Sequence, residues 1–221
     1  MWGTVFQSNA CKIIAILFIF VQCIPERKME TLPYYNTADF TPIWINDKDS
    51  VEALVQHTIN HFSFQDQHGN VITRKHVEGK LHIANFFFTT CTSVCPRMTE
   101  QLRYVQNKYH EDSTVVLLSF SVTPWLDNAD KLAHYAERNE INSRQWHLLT
   151  GDKANIYTLA RKSYFAEETL GFQKDSSDFL HTEHVLLIDQ HERIRGIYNG
   201  TLPLETERLM ADIEVLKNEI E

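Results

Sequence analysis

The apolar residues of this chain fall into short runs of two kinds, separated by polar turns. Leu81, Ile83, Ala84, Phe86, Phe87 and Phe88 fill residues 80–89 almost without interruption. That is the pattern of a central strand covered on both faces. Residues 115–122 repeat it, from Val115 to Val122. Between these runs Met98, Leu102, Val105 and Tyr109 recur at helical spacing. The same spacing predicts helices over 128–139 (Ala129, Leu132, Ala133, Ala136), 154–163 (Ile156, Leu159, Ala160) and 204–219 (Leu209, Ile213, Leu216).

Shorter runs complete the pattern. Residues 57–64 are a strand candidate, and Gln67-His68-Gly69-Asn70 forms a turn before Val71-Ile72-Thr73. Trp146 opens another strand. Residues 185–189 and 194–198 form a hairpin that turns through 190–193. Strands that alternate with helices and close on a β-hairpin and helix predict an α/β fold of thioredoxin-like type, with a central mixed sheet flanked by helices.

The N-terminus differs from this body. Lys12 precedes Ile13-Ile14-Ala15-Ile16-Leu17-Phe18-Ile19-Phe20-Val21, which Gln22-Cys23 ends. The run is about 11 residues, where a membrane span needs ~20 and a secretory h-region ~7–15. Residues 1–24 are therefore expected to be a signal peptide or a short membrane or lipid anchor; a buried core helix is the alternative. Cys23 stands where a bacterial lipoprotein carries its lipid, although Gln22 occupies a position usually held by a small residue. Residues 25–45 are polar, contain Pro33 and Pro42, and read as a tether. Residues 46–221 are the expected domain. This organisation implies export, with membrane anchoring.

Composition narrows the class. In 221 residues, 43% hydrophobic and 11% aromatic content suffices for a packed core. A net charge of −8 argues against a nucleic-acid partner. The four cysteines are Cys11, Cys23, Cys91 and Cys95, so the body holds one close pair and is no disulfide-stapled scaffold.

That pair carries the strongest chemical signal. Cys91-Thr92-Ser93-Val94-Cys95-Pro96 follows directly on the first buried strand. Pro96 suits the first position of a helix, which would make Cys95 the N-cap and leave Cys91 in the loop. Unsatisfied backbone N–H groups at the helix start favour thiolate over thiol. Thiolates bind soft metals or attack disulfides, so three uses stay open: a structural or inert pair, a redox couple, or a metal site lacking a third ligand.

Eleven histidines are available. His57, His61, His68, His76, His82, His110, His134 and His191 read as surface or turn residues, and His147 packs beside Trp146. His181 and His184 lie between the polar stretch 174–178 and a buried strand. Either could complete a Cys-Cys-His site, and periodicity does not choose between them.

Several segments in order resemble the Sco/SenC copper-chaperone family. Phe87-Phe88-Thr89-Thr90-Cys91-Thr92-Ser93-Val94-Cys95-Pro96 is similar to its F-x-T-x-C-x-x-x-C-P signature. Gly79-Lys80, Ser121-Val122-Thr123-Pro124 and the 146–152 stretch resemble its G-K, S-V-D-P and W-x-x-L-T-G-D segments. His181, six residues before Leu187-Ile188-Asp189, is similar to its H-[ST]-x-x-x-x-L-I-D segment. The resemblance runs from about residue 62 to the end. It implies a thioredoxin-like domain that binds copper through Cys91, Cys95 and His181, with His184 an extra. It further implies service to the dinuclear copper centre of cytochrome c oxidase, with that subunit and a thiol reductant as partners. Two thiolates suit Cu(I), and an imidazole admits Cu(II), but Zn(II) also accepts such a set. Thr123 departs from the family's Asp, and Gln190-His191-Glu192-Arg193 from its D-x-x-G turn. The alternative function is a thiol-disulfide oxidoreductase, with Cys91 and Cys95 as its catalytic redox pair, that reduces the oxidase subunit's copper-ligand cysteines.

Overall fold

The computed structural model describes residues 31–166 and 182–220. Nine strands and five α-helices occur among these: β1 (Tyr34–Tyr35), β2 (Pro42–Ile43), α1 (Val51–Leu54), β3 (Ser63–Gln65), β4 (Val71–Thr73), β5 (Leu81–Phe87), α2 (Val94–Tyr109), β6 (Val115–Ser121), α3 (Ala129–Arg138), β7 (Trp146–Leu149), α4 (Lys153–Lys162), β8 (His184–Ile188), β9 (Ile194–Asn199) and α5 (Pro203–Ile220). Seven strands form one mixed sheet in the order β2-β1-β9-β8-β5-β6-β7. β5 pairs parallel with β6 and antiparallel with β8, and β6 pairs parallel with β7. β3 and β4 make a separate hairpin. Its turn requires Gly69, whose φ of 77° is one that a side chain disfavours.

The two apolar runs became central strands because both their faces are covered. Every residue of β5 and β6 is buried. Alternate side chains feed opposite cores. Ala84, Phe86, Leu118 and Phe120 pack with Phe62, Phe64 and Tyr164 under α4. Leu81, Ile83, Phe87 and Leu117 pack with residues of α2, α3 and α5, including Met98, Leu132 and Ile213. The helices start and stop where polar caps supply orphan backbone groups with partners. Asn128 accepts from the Lys131 amide at 3.0 Å, and Asp152 from the Asn155 amide at 2.9 Å.

Four expectations need correction. Of residues 57–64, only Ser63 and Phe64 are in a strand. Ile59 and Phe62 are buried, but the backbone of this stretch bonds to loops: the Ile59 amide donates to the Glu192 carbonyl at 2.9 Å, and the Asn60 amide to Ser163 Oγ at 3.3 Å. Burial spaced like a strand's thus arises without a ladder. Next, α2 begins at Val94, so Pro96 is its third residue, Ser93 the N-cap, and Cys95 lies inside the first turn. Proline fits anywhere among the first N–H groups, which have no intrahelical acceptor. Third, His82 is a core residue, fully buried, with Nε2 3.1 Å from the Tyr164 hydroxyl. Burial pushes its pKa down to about 3. Finally, residues 34–43 of the expected tether add β1 and β2 to the edge of the sheet, where Tyr35 pairs with Ile194. Residues 1–30, with Cys23, lie outside the described residues. No helix among the described residues is long and apolar enough to cross a membrane.

Candidate functional site

Parallel strands β5 and β6 end side by side, and their loops leave the same edge of the sheet. The Val122 amide donates to the Phe87 carbonyl at 2.9 Å and continues the pairing past both strands. Beyond Phe88 the chain turns tightly: the Cys91 amide donates to the Phe88 carbonyl at 3.2 Å, and α2 starts three residues later. The Cys95 amide then donates to Cys91 Sγ at 3.4 Å. Cys95 is buried beside Met98, while Cys91 is half-buried.

The two thiols are therefore unequal. Burial raises the Cys91 pKa, but it is outweighed by bonds from the Cys95 thiol and from the amides of Cys95, Ser93 and Val94, so the net shift is downward. For Cys95, burial acts first; its bond to Cys91 and the charge there add to it, against the Phe88 backbone, and the thiol is pushed up to about 12. Cys91 is the thiol that ionises more readily, and Cys95 the one that keeps its proton. The accessible, low-pKa member is the better nucleophile.

Cys91 opens on a cavity of about 590 Å³ lined by Phe88, Thr90, Thr92, Ser93, Val94, Thr182 and Glu183. The last two belong to the stretch that enters β8. Glu183 is held there by Asn199 Nδ2, which donates to its carboxylate at 2.7 Å, and by the Gly200 amide, which donates to its carbonyl at 2.8 Å. Gly200 permits this close approach: a Cβ there would stand 2.5 Å from Val185 Cγ2 and 3.3 Å from Met98 Cγ. The wall of the cavity is thus seated directly on the helix that carries Cys95.

Beneath the cysteine loop lies a carboxylate that the sequence did not reveal as part of the site. Asp127 Oδ2 accepts from the Thr89 amide (3.1 Å), Ser121 Oγ (2.6 Å) and Thr123 Oγ1 (2.9 Å), and Oδ1 accepts from Thr89 Oγ1 (2.5 Å). The signal was present as three hydroxyl residues at the ends of two adjacent strands, which need a common acceptor.

Of the expected ligands, Cys91 and Cys95 are brought together, Cys91 on the cavity and Cys95 buried behind it, and two adjacent sulfurs suit a soft metal. His181 lies outside the described residues. His184 is the first residue of β8, with its ring edge-on to Phe40 at 5.7 Å. Among the described residues no cluster of three His, Cys, Asp or Glu side chains gathers.

The SCO1/SenC family model matches residues 51–218. Similar solved structures include the SCO1/SenC family lipoprotein from Bacillus anthracis str. Ames, 27% identical, with a TM-score of 0.63 over 74% of this chain and 96% of that one. Another is BsSco, a member of the Sco family of cytochrome c oxidase assembly proteins in which a disulfide switch was identified. It is 25% identical, with a TM-score of 0.62 over 73% of this chain and 94% of that one. Copper-bound ScoI of Bradyrhizobium japonicum, at 23% identity, shares the fold, with a TM-score of 0.57 over 72% of this chain and 99% of that one. The family match spans both cysteines, the cavity wall at Thr182–Glu183 and all the strands of the sheet except the two at its N-terminal edge, and on that evidence the chain belongs to the SCO1/SenC family.

Proposed function

We propose that this protein carries copper for the assembly of the dinuclear copper centre of cytochrome c oxidase, holding the metal through Cys91, Cys95 and His181. The observation that carries this reading is the pairing of two thiols of unequal pKa, the more exposed of which, Cys91, lines a cavity that Thr182 and Glu183 line as well. Copper is bound in the Bradyrhizobium ScoI structure, which has the same fold. Cys91 enters as thiolate, and Cys95 releases its proton when copper replaces the proton at sulfur. The His181 imidazole, which the family resemblance supplies, completes the donor set in this reading. In this reading residues 1–24 are the export signal or anchor, as befits a relative of a lipoprotein. Retention of Cys23→Ser in the membrane fraction would sink lipid anchoring at that residue.

The disulfide switch of BsSco favours a second use of the same sulfurs. Cys91 thiolate attacks one sulfur of a partner disulfide and expels the other as thiolate. Cys95, deprotonated, then attacks Cys91 Sγ, which frees the partner's second thiolate and leaves a Cys91–Cys95 disulfide. Two electrons pass to the partner, and an external thiol reductant must return them.

Anaerobic Cu(I) titration against a competing chelator separates the two. Wild type is expected to bind one equivalent. Cys91→Ser and Cys95→Ser are expected to abolish tight binding, and His181→Ala to lower affinity by ~10-fold or more. Absence of tight copper in wild type, with Cys95→Ser trapped as a mixed disulfide on the oxidase subunit, would reject the carrier in favour of the reductase.

A further inference from the structure

We propose that Asp127 is a positioning residue that sets the geometry of the Cys91/Cys95 pair through Thr89. The carboxylate is 0% exposed, and no lysine, arginine or histidine is among its hydrogen-bond partners. A buried carboxylate without a countercharge persists only when hydrogen-bond donors surround it. Here four donors do so, and they come from two separate loops. Ser121 and Thr123 belong to the end of β6 and the loop after it. Thr89 gives both its amide and its hydroxyl, and lies two residues before Cys91. The Asp127 backbone is fixed in turn: its amide donates to the Thr123 carbonyl at 2.9 Å, and its carbonyl accepts from Thr150 Oγ1 at 2.6 Å. The carboxylate therefore clamps the start of the cysteine loop to a rigid post built from the neighbouring strand.

The consequence for chemistry follows from where the loop is otherwise held. Between Thr89 and α2 the backbone makes one bond back to the strand side, from the Cys91 amide to the Phe88 carbonyl; the amides of Ser93, Val94 and Cys95 turn to the Cys91 sulfur instead. Cys95 is fixed by its helix and its burial. Cys91 Sγ is met by the amides at the helix start, but its backbone is tied to the sheet only through Phe88 and Thr89, so the position from which it reaches Cys95 depends on where the chain leaves Thr89. A misplacement of the order of 1 Å can change the rate or equilibrium of a reaction between positioned groups by ~10²-fold. Thr123 feeds the same carboxylate but does not touch the cysteine loop, which separates a clamp from a merely satisfied buried charge.

The test compares Thr89→Val with Thr123→Val. Each removes one hydroxyl donor from Asp127 and keeps the backbone amide, so both should lose similar stability to urea. The readout is the equilibrium constant for closing the Cys91–Cys95 disulfide in glutathione redox buffers. It needs no copper and so stands apart from the copper reading, whose own failure would appear in the chelator titration. Thr89→Val is expected to lower that constant by ~10-fold, the size typical of a lost supporting hydrogen bond behind a functional group. Thr123→Val should stay within about twofold, and Thr89→Ser, which restores the hydroxyl, should return to the wild-type value. Equal shifts in the two valine variants, or no shift in Thr89→Val despite its lost stability, would overturn the proposal.

Discussion

The two ends of the central sheet each bury a charged group, and they satisfy it by opposite means. At the thiol end, Asp127 is met only by neutral donors. At the far end, Arg195 sits between Asp189 (3.3 Å) and Glu219 (2.8 Å), with its guanidinium 4.0 Å over the Tyr34 ring. It also donates to the carbonyls of Leu32 and Pro33 at 2.9 and 3.1 Å. This ionic hub ties the N-terminal segment, the β8–β9 hairpin and the last turn of α5 together. The neutral cluster holds a single loop. A hub of full charges fixes elements strongly wherever a cation can be spared. Beside a thiolate, a buried cation would compete for the sulfur's charge, and a carboxylate held by hydroxyls exerts positional control without one.

The contrast can be broken most severely at Arg195. Arg195→Met leaves Asp189 and Glu219 unpaired at a buried site and is expected to cost ~3–5 kcal/mol, read from urea unfolding. The disulfide equilibrium of Cys91 and Cys95 should stay unchanged in that variant, because the hub touches nothing in the cysteine loop. A shift there would mean that the two ends are coupled and the comparison is false. The valine pair at Thr89 and Thr123 is the reverse case, with a smaller loss of stability and a change at sulfur.

A gentler probe sharpens the thiol end without altering it. Reduced wild-type protein is treated with limiting iodoacetamide, and the labelled cysteine is mapped by mass spectrometry. Only thiolate reacts, so the rate at Cys91 should rise with pH and level off below the ordinary thiol value of 9, because its pKa is lowered. Cys95, pushed up to about 12, stays protonated across that range, and Cys91 should be labelled at least ~10-fold faster. Equal labelling would show that the unequal environments do not govern reactivity.

Much of this architecture was legible from the chain alone. β5 and β6 were expected from runs with few polar interruptions, the pattern of a strand covered on both faces. α3, α4 and the closing hairpin with α5 announced themselves through apolar periodicity and a polar turn, and here the structure departs by a residue or two. Residues 57–62 were misread because their apolar positions are buried by a loop, and periodicity records burial without recording which partner takes the backbone. His82 was misread because a histidine in an apolar run can be paired by a single distant hydroxyl, Tyr164, that lies 82 positions away.

The sequence by itself determined the chemistry on offer: two thiols after a buried strand, a histidine at the mouth of another, and the family to which such an order belongs. Only the tertiary structure decided how those groups are set. It lowered the pKa of Cys91 and raised that of the buried Cys95, brought Thr182 and Glu183 to the cavity that Cys91 lines, and ran Asp127 under the loop. The reason is physical. Residue type and local spacing fix what a side chain can donate, accept or ligate. Its pKa and position depend on burial and on partners that the fold brings from tens of residues away.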